Sequence, residues 1–283
     1  MKSICFKTNN KNLIDYLLKS FEQINISDTY ISICEFKHFN NIIIHHTNNE
    51  TTKLLSFLSN TVTKAIINYY EEDIISQSIN LNYFYFNNFE KKKILENTIN
   101  LLSEDSLFTE KYDYINNEVY NMLLNNHSFY FQAFINFKLF NYIKLIDNQI
   151  DTAVNKFLID KEYVEFVNLL RLYLRSETSN SKVDHIHLIY KDKTSILVDD
   201  NQNIIESNEN IKKAKYISDI SFSSNDLALN TLLNLIPKKI TIHLVDKYCD
   251  EFINTLKLIF QERIKICDDC DICNIYKIKQ MKH

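Results

Sequence analysis

Apolar positions recur every three or four residues over much of the middle of the chain, and every two residues near both ends. The first period places side chains on one face of a helix, and the second on one face of a strand. Residues 129–175 carry the longest helical pattern. Leu139, Ile143, Ile146, Ile150, Val154, Phe157, Val164 and Val167 form one stripe, and Tyr163, Phe166 and Leu170 a second beside it. Charges such as Lys144, Asp147, Lys156, Lys161 and Glu162 fall mostly between the stripes. A helix apolar over so much of its girth is expected to be wrapped by other elements, with any break near Asp160 and Lys161.

Ahead of it, residues 2–8 alternate as a strand, residues 11–24 read as an amphipathic helix capped by Asn9 or Asn10, and residues 29–37 and 41–46 read as two strands. Helical spacing takes over from about residue 49, including a helix over roughly 112–126. After the polar stretch 176–181 the pattern changes. Residues 184–190 and 195–200 suggest a β-hairpin. Ser224, Asn225 and Asp226 offer capping groups for a helix over 226–236 that Pro237 ends. Residues 238–245 alternate as a strand, and Asp250 to about Ile264 reads as a helix. The expected fold class is α+β: a small N-terminal β-α-β-β unit (1–48), a large helical region (49–176) and a C-terminal α/β unit (182–283) ending in a CxxCxxC tail.

The 283-residue chain is long enough for a substantial core, and 45% hydrophobic with 24% charged residues is ordinary for a globular protein. A net charge of −4 gives no global attraction to nucleic acid, which is not expected as a partner. The chain has no Gly and one Pro, alongside heavy use of Asn, Ile, Lys and Tyr, as coding from an AT-rich genome produces. Left-handed backbone positions are then expected to fall to Asn or Asp. Phosphate-binding loops, Rossmann turns and nucleophile elbows all require Gly, so nucleotide-dependent and α/β-hydrolase chemistry is disfavoured. The stretch MKSICFKTNN lacks the apolar run of a signal peptide, no run approaches the about 20 residues of a membrane span, and a cytoplasmic location is expected. Six Cys in such a chain are expected to be free, metal-bound or redox-active rather than disulfide-bonded.

The sharpest chemical feature is Cys267-Asp-Asp-Cys270-Asp-Ile-Cys273. Three Cys at this spacing, expected at the end of a helix, can turn their sulfurs to one point and suit zinc or an iron–sulfur cluster. The ferredoxin run would place a fourth Cys at Lys277, so that match fails. A fourth ligand has to come from Cys249, His243, Asp268, Asp271, His283, another chain or a substrate. The alternatives are redox-active thiols, or free thiols in a mobile tail. His185 and His187 share a strand face and could join His243 in a metal site, or could simply line the solvent face of a hairpin. His45 and His46 are adjacent and point apart. Asp160, Glu162 and Glu165 read as a salt-bridged surface, Lys91 to Lys93 as a solvated run, and Phe129, Phe131, Phe134, Phe137 and Phe140 as core. Arg263 could pair with a thiolate or an anion, or cap a helix end.

Two stretches, AFINFKLFNYIKLIDNQIDTAVNKFLIDKEYVEFVNLL from Ala133 to Leu170 and IFQERIKICDDCDIC from Ile259 to Cys273, resemble the YtxC-like family of sporulation proteins of endospore-forming Firmicutes. Ala133 and Asp269 stand where the family pattern is expected to have Gly, and Lys138 where it is expected to have Arg. The resemblance implies a role in sporulation and no particular reaction. A cytoplasmic, sporulation-associated protein acting through binding of a protein partner is the first functional expectation. A metal- or cluster-dependent regulator or redox protein using Cys267, Cys270 and Cys273 is the second, and a metal-dependent enzyme drawing on His185, His187 or His243 is the third.

Overall fold

A computed structural model of the chain describes residues 2–24, 26, 28–35, 40–47, 51–177, 181–205 and 223–278, with the side chains of residues 35 and 278 set aside. The fold is α+β. Its contacts group the chain into two compact units, Met1–Ile159 and Asp160–His283.

In the first unit, β1 (Lys2–Thr8) is followed by α1 (Lys11–Phe21), β2 (Thr29–Glu35) and β3 (Asn40–His46). Asn10 caps α1 by accepting a hydrogen bond from the Leu13 backbone N–H. Then come α2 (Thr51–Asn82), α3 (Asn88–Leu102), α4 (Asp105–Asn125), the short strand β4 (Ser128–Tyr130) and α5 (Phe131–Lys138). The sheet order is β2-β3-β1-β4, antiparallel except that β4 lies parallel to β1. Ile4 and Phe6 of β1, Ile42 and Ile44 of β3, and Leu13 and Leu17 of α1 share one core with Leu58, Val62 and Ile66 of α2.

The helix α6 (Phe140–Ser176) is unbroken at Asp160 and Lys161, where the sequence pattern places any break. The interruption falls earlier. Phe129 pairs with Phe6 in the parallel strand, and Leu139, fully buried, leaves helical geometry (φ −98°, ψ 37°) between α5 and α6. Phe129, Phe131 and Phe134 are core residues as expected, but Phe137 and Phe140, on either side of this corner, are exposed. In α6, Tyr142, Ile146, Ile150 and Val154 join the first core. Further along, Tyr163, Val167, Leu170 and Leu174, spaced four, three and four, line the second core. Val164 and Phe166 lie either side of that stripe and are exposed.

A charged group is buried among the helices of the first unit. Lys111 of α4 places its Nζ 2.9 and 2.7 Å from the two carboxylate oxygens of Glu71 of α2, and the Tyr142 hydroxyl of α6 donates to Glu71 at 2.7 Å. Each buried polar atom thereby has a partner, which a buried charge requires.

In the second unit, the hairpin β5 (His185–Lys191) and β6 (Thr194–Val198) forms as the alternation predicts. Its turn residues Asp192 and Lys193 have φ of 47° and 58°, the arrangement that matches strand twist in a two-residue hairpin. Left-handed positions among the described residues are Asp28, Asp192, Lys193, Gln202, Ile236, Lys247 and Gln261, so the expected Asn is not used there. Tertiary packing imposes some of these: Ile236, at φ 49°, is buried at the end of a helix just before Pro237.

That helix, α7 (Ser224–Leu235), begins at Ser223, which forms a reciprocal capping box with Asp226. Strand β7 (Lys239–Leu244) follows. Next is α8 (Glu251–Phe260), capped by Asp250 and shorter than expected, because residues Gln261–Arg263 tighten into a 3₁₀ turn. The chain then makes two elements that periodicity does not announce, β8 (Ile264–Cys267) and α9 (Asp271–Ile278). The sheet order is β6-β5-β7-β8, with β5, β7 and β8 parallel. Ile186, Leu188, Ile240 and Ile242 point into the core shared with α7 and α8. On the opposite face Ile189, Val198 and Val245 form a smaller cluster against Ile272 and Tyr276 of α9. The terminal segment is thus ordered against a sheet face through residue 278. His283, one of the possible fourth ligands, lies outside the described residues.

Candidate metal centre

Strand alternation delivers His185 and His187 of β5, and Thr241 and His243 of β7, to the sheet face that α9 covers. The parallel register pairs His243 with Cys267, the last residue of β8. After Cys267 the chain turns back over the strand ends, and Cys270 stands at the start of α9. Its Sγ accepts from the Cys273 backbone N–H at 3.5 Å, much as an N-cap side chain would. Cys273, in the first turn, is fully buried beneath the helix. The motif therefore straddles a strand end and a helix start, rather than following a helix as expected.

These elements bring one nitrogen and three sulfurs together. His243 Nδ1 is 3.3 Å from Cys270 Sγ and 3.5 Å from Cys273 Sγ, and the two sulfurs are 3.6 Å apart. With Cys267 included, one ligand atom from each residue lies within 4.8 Å of all the others.

Burial, with the neighbouring His187 and His185, holds His243 down to about 4, so at neutral pH it is an uncharged imidazole. Burial pushes the Cys273 thiol up to about 12, with Cys270 and Cys267 adding to the effect. Cys267 is also raised, chiefly by burial. For Cys270, burial acts upward, but the Cys273 N–H and the adjacent thiols outweigh it and bring the group below the usual thiol value.

A hydrogen-bonded chain continues outward. His243 Nε2 is 2.9 Å from His187 Nδ1, and His187 Nε2 is 3.1 Å from Asp200 Oδ1. His185 reaches the same Asp200 oxygen through Nδ1 at 2.7 Å, and Thr241 Oγ1 through Nε2 at 2.8 Å. Asp200 is exposed, and its carboxyl is held below the usual range chiefly by the bond to His187. His185 and His187 thus do not simply line a solvent face. Asp200 and Thr241 carried no signal of their own in the sequence. Asp200 lies two residues beyond Val198, the register partner of His187, which brings it beside the two His.

The other sequence candidates lie elsewhere. Cys249 is exposed, with Sγ 3.2 Å from Lys257 Nζ and 3.3 Å from Asn254 Oδ1. Neither Asp268 nor Asp271 belongs to the close four-donor group. Arg263 donates to the Pro237 carbonyl at 3.2 Å. His45 bonds Ser3 and Ser32, while His46 turns the other way to Thr29. Asp160, Glu162 and Glu165 are exposed along α6. Lys91 bonds Asn80, Lys92 lies 4.0 Å from Glu96, and Lys93 sits over the Phe89 ring. Among the described residues no helix is long and apolar enough to cross a membrane.

No curated protein and no solved structure matches the chain. The model of the YtxC-like family matches residues 56–265, a span that takes in His185, His187, Asp200 and His243 and stops two residues short of Cys267. That span is well over half of the 283 residues, and the chain belongs to the YtxC-like family.

Proposed function

We propose that this YtxC-like protein holds a single zinc ion on Cys267, Cys270, Cys273 and His243. The ion serves a structural or regulatory role in a cytoplasmic, sporulation-associated protein that acts by binding a protein partner. The observation that carries the metal reading is the spacing of the donors. A tetrahedral zinc with bonds of about 2.3 Å to sulfur and about 2.0 Å to nitrogen sets sulfurs about 3.8 Å apart and sulfur about 3.5 Å from nitrogen. The corresponding separations here are 3.6 Å between Cys270 and Cys273, and 3.3 and 3.5 Å from His243.

Three thiolates and one imidazole are a closed zinc donor set, with no position kept for a substrate, which favours a structural over a catalytic ion. An iron–sulfur cluster is less well supported, because it distributes its thiolates over separate irons, whereas these donors converge on one point. Binding would displace the thiol protons. It would also tie α9 down. That helix has only eight residues, too few to stand without tertiary support.

Metal, iron and acid-labile sulfide content of protein purified without oxygen tests this reading. One zinc per chain and no visible colour is expected, with the zinc lost in Cys270→Ser and His243→Ala. Iron and sulfide with a broad visible band would replace zinc by a cluster. A folded, metal-free protein that takes up no zinc on titration would overturn the metal reading. The sporulation role is supported by the family alone. Its test is spore yield in a strain lacking the protein, complemented by the wild-type or Cys270→Ser chain.

A further inference from the structure

We propose that His187 and Asp200 are positioning residues that set the tautomer of His243, and that an ion on the three thiolates and His243 closes the neighbouring His185–His187–Asp200 group to a second ion. This rests on the zinc reading above. The second group is a credible ligand set in its own right: one ligand atom from each of His185, His187 and Asp200 lies within 4.8 Å of the others, and Asp200 Oδ1 is 2.7 Å from His185 Nδ1 and 3.1 Å from His187 Nε2. What links the two groups is one hydrogen bond, 2.9 Å long, between His187 Nδ1 and His243 Nε2.

A neutral imidazole carries one N–H and one lone pair. If His243 gives its Nδ1 lone pair to an ion, its proton is on Nε2 and is donated to His187 Nδ1. His187 then accepts at Nδ1 and carries its own proton on Nε2. That proton points at Asp200 Oδ1, 3.1 Å away, and an ionised carboxylate can only accept. Every atom in the chain is satisfied in this direction, and His187 Nε2 has no lone pair left for a metal.

The opposite direction is also self-consistent, but for a different ion. A cation held by His185, His187 and Asp200 takes the His187 Nε2 lone pair. His187 then donates from Nδ1 to His243 Nε2, and the His243 proton moves to Nδ1, facing the sulfurs. The thiol site loses its nitrogen ligand. The two groups therefore compete through the position of a single proton on each ring. The ionised Asp200 favours the direction that serves the thiol site. Metal-bound imidazoles oriented by a carboxylate chain of this sort lose about 10–100-fold in metal affinity when the outer partner is removed.

The test uses the full-length protein, zinc alone as the probe, and a competing chelator to read affinity. Wild type is expected to bind one equivalent of zinc. His187→Ala should bind it about 10–100-fold more weakly, while His187→Gln should recover most of the loss, because its amide can accept from His243 and donate to Asp200. Nitrogen-15 imidazole spectra of the zinc-loaded wild type should show His243 protonated at Nε2 and His187 protonated at Nε2. One zinc bound with unchanged affinity in His187→Ala, or His187 protonated at Nδ1, would overturn the relay and leave the zinc site standing. A second equivalent bound at full occupancy of the first would overturn the competition. No zinc bound by wild type would remove both the site and the relay.

Discussion

His243 and Cys267 are register partners across the parallel strands β7 and β8. Their pairing places an imidazole and a thiol side by side at the carboxyl ends of the strands, where open α/β sheets gather ligands. The loop after Cys267 needs only to fold back once to add Cys270 and Cys273. A cross-strand pair thereby places two of the four clustered residues, and one turn of helix supplies the other two.

The first prediction concerns α9. The helix covers the sheet face with Ile272 and Tyr276 only partly buried, and Lys191 Nζ bonds the Tyr276 carbonyl at 2.9 Å. With so little apolar burial, the metal bonds would supply much of its hold. Adding a chelator to zinc-loaded protein should raise amide exchange over residues 268–278 by at least an order of magnitude while leaving β5 and β7 protected. Unchanged exchange in α9 would show that packing alone holds it.

A second prediction tests the buried triad of Glu71, Lys111 and Tyr142. Lys111→Met leaves the Glu71 carboxylate buried with only the Tyr142 hydroxyl, and should cost about 3–5 kcal/mol in urea unfolding. Replacing all three with apolar residues of similar volume should recover most of that loss, since a well-packed apolar core is often as stable as a buried ion pair. A single Lys111→Met that unfolds like wild type would show the pair to be dispensable.

A third prediction is a pH dependence. The Tyr83 hydroxyl donates to Asp151, and burial, followed by that bond, pushes the phenol up to about 12. The usual tyrosine value is about 10. The folded state therefore favours the protonated phenol. Its contribution is fully present below pH about 10 and is lost as pH rises from about 10 to about 12. Tyr83→Phe should lower stability at pH 8 and narrow its gap to wild type across that interval, as read by thermal melts. A pH-independent gap would assign the effect to packing.

The fourth prediction concerns a turn. Lys193 is exposed and sits at φ 58°, where an L-residue is strained by about 1–2 kcal/mol and glycine is not. Glycine costs about 0.4–1 kcal/mol through the freer unfolded chain. Lys193→Gly should therefore stabilise the second unit by about 0.5–1 kcal/mol, seen as a rise in its melting midpoint. A fall would mean that the Lys193 side chain makes a contribution larger than the backbone strain.

Much of the secondary structure was determined by the sequence through periodicity. Ile4 and Phe6 alternate, Leu54, Leu58 and Val62 recur at helical spacing, and His185 to Tyr190 alternate, and each segment adopted the element its period dictates because one face had to leave water. The three thiols and the possible contribution of His243 were also legible, since residue type alone states what can bind a metal. Tertiary structure alone decided which candidate joined them. Ile264 to Cys267 is too short to declare a strand until β7 offers it a parallel edge, and parallel pairing depends on a crossover rather than on local pattern. Asp200 follows from the antiparallel register of β5 and β6, and Thr241 and the chain from His187 to His243 from the parallel register of β5 and β7. The corner at Leu139 and the left-handed Ile236 belong with them: in both, burial of one side chain overrode local conformational preference, a balance that only the folded neighbours can set.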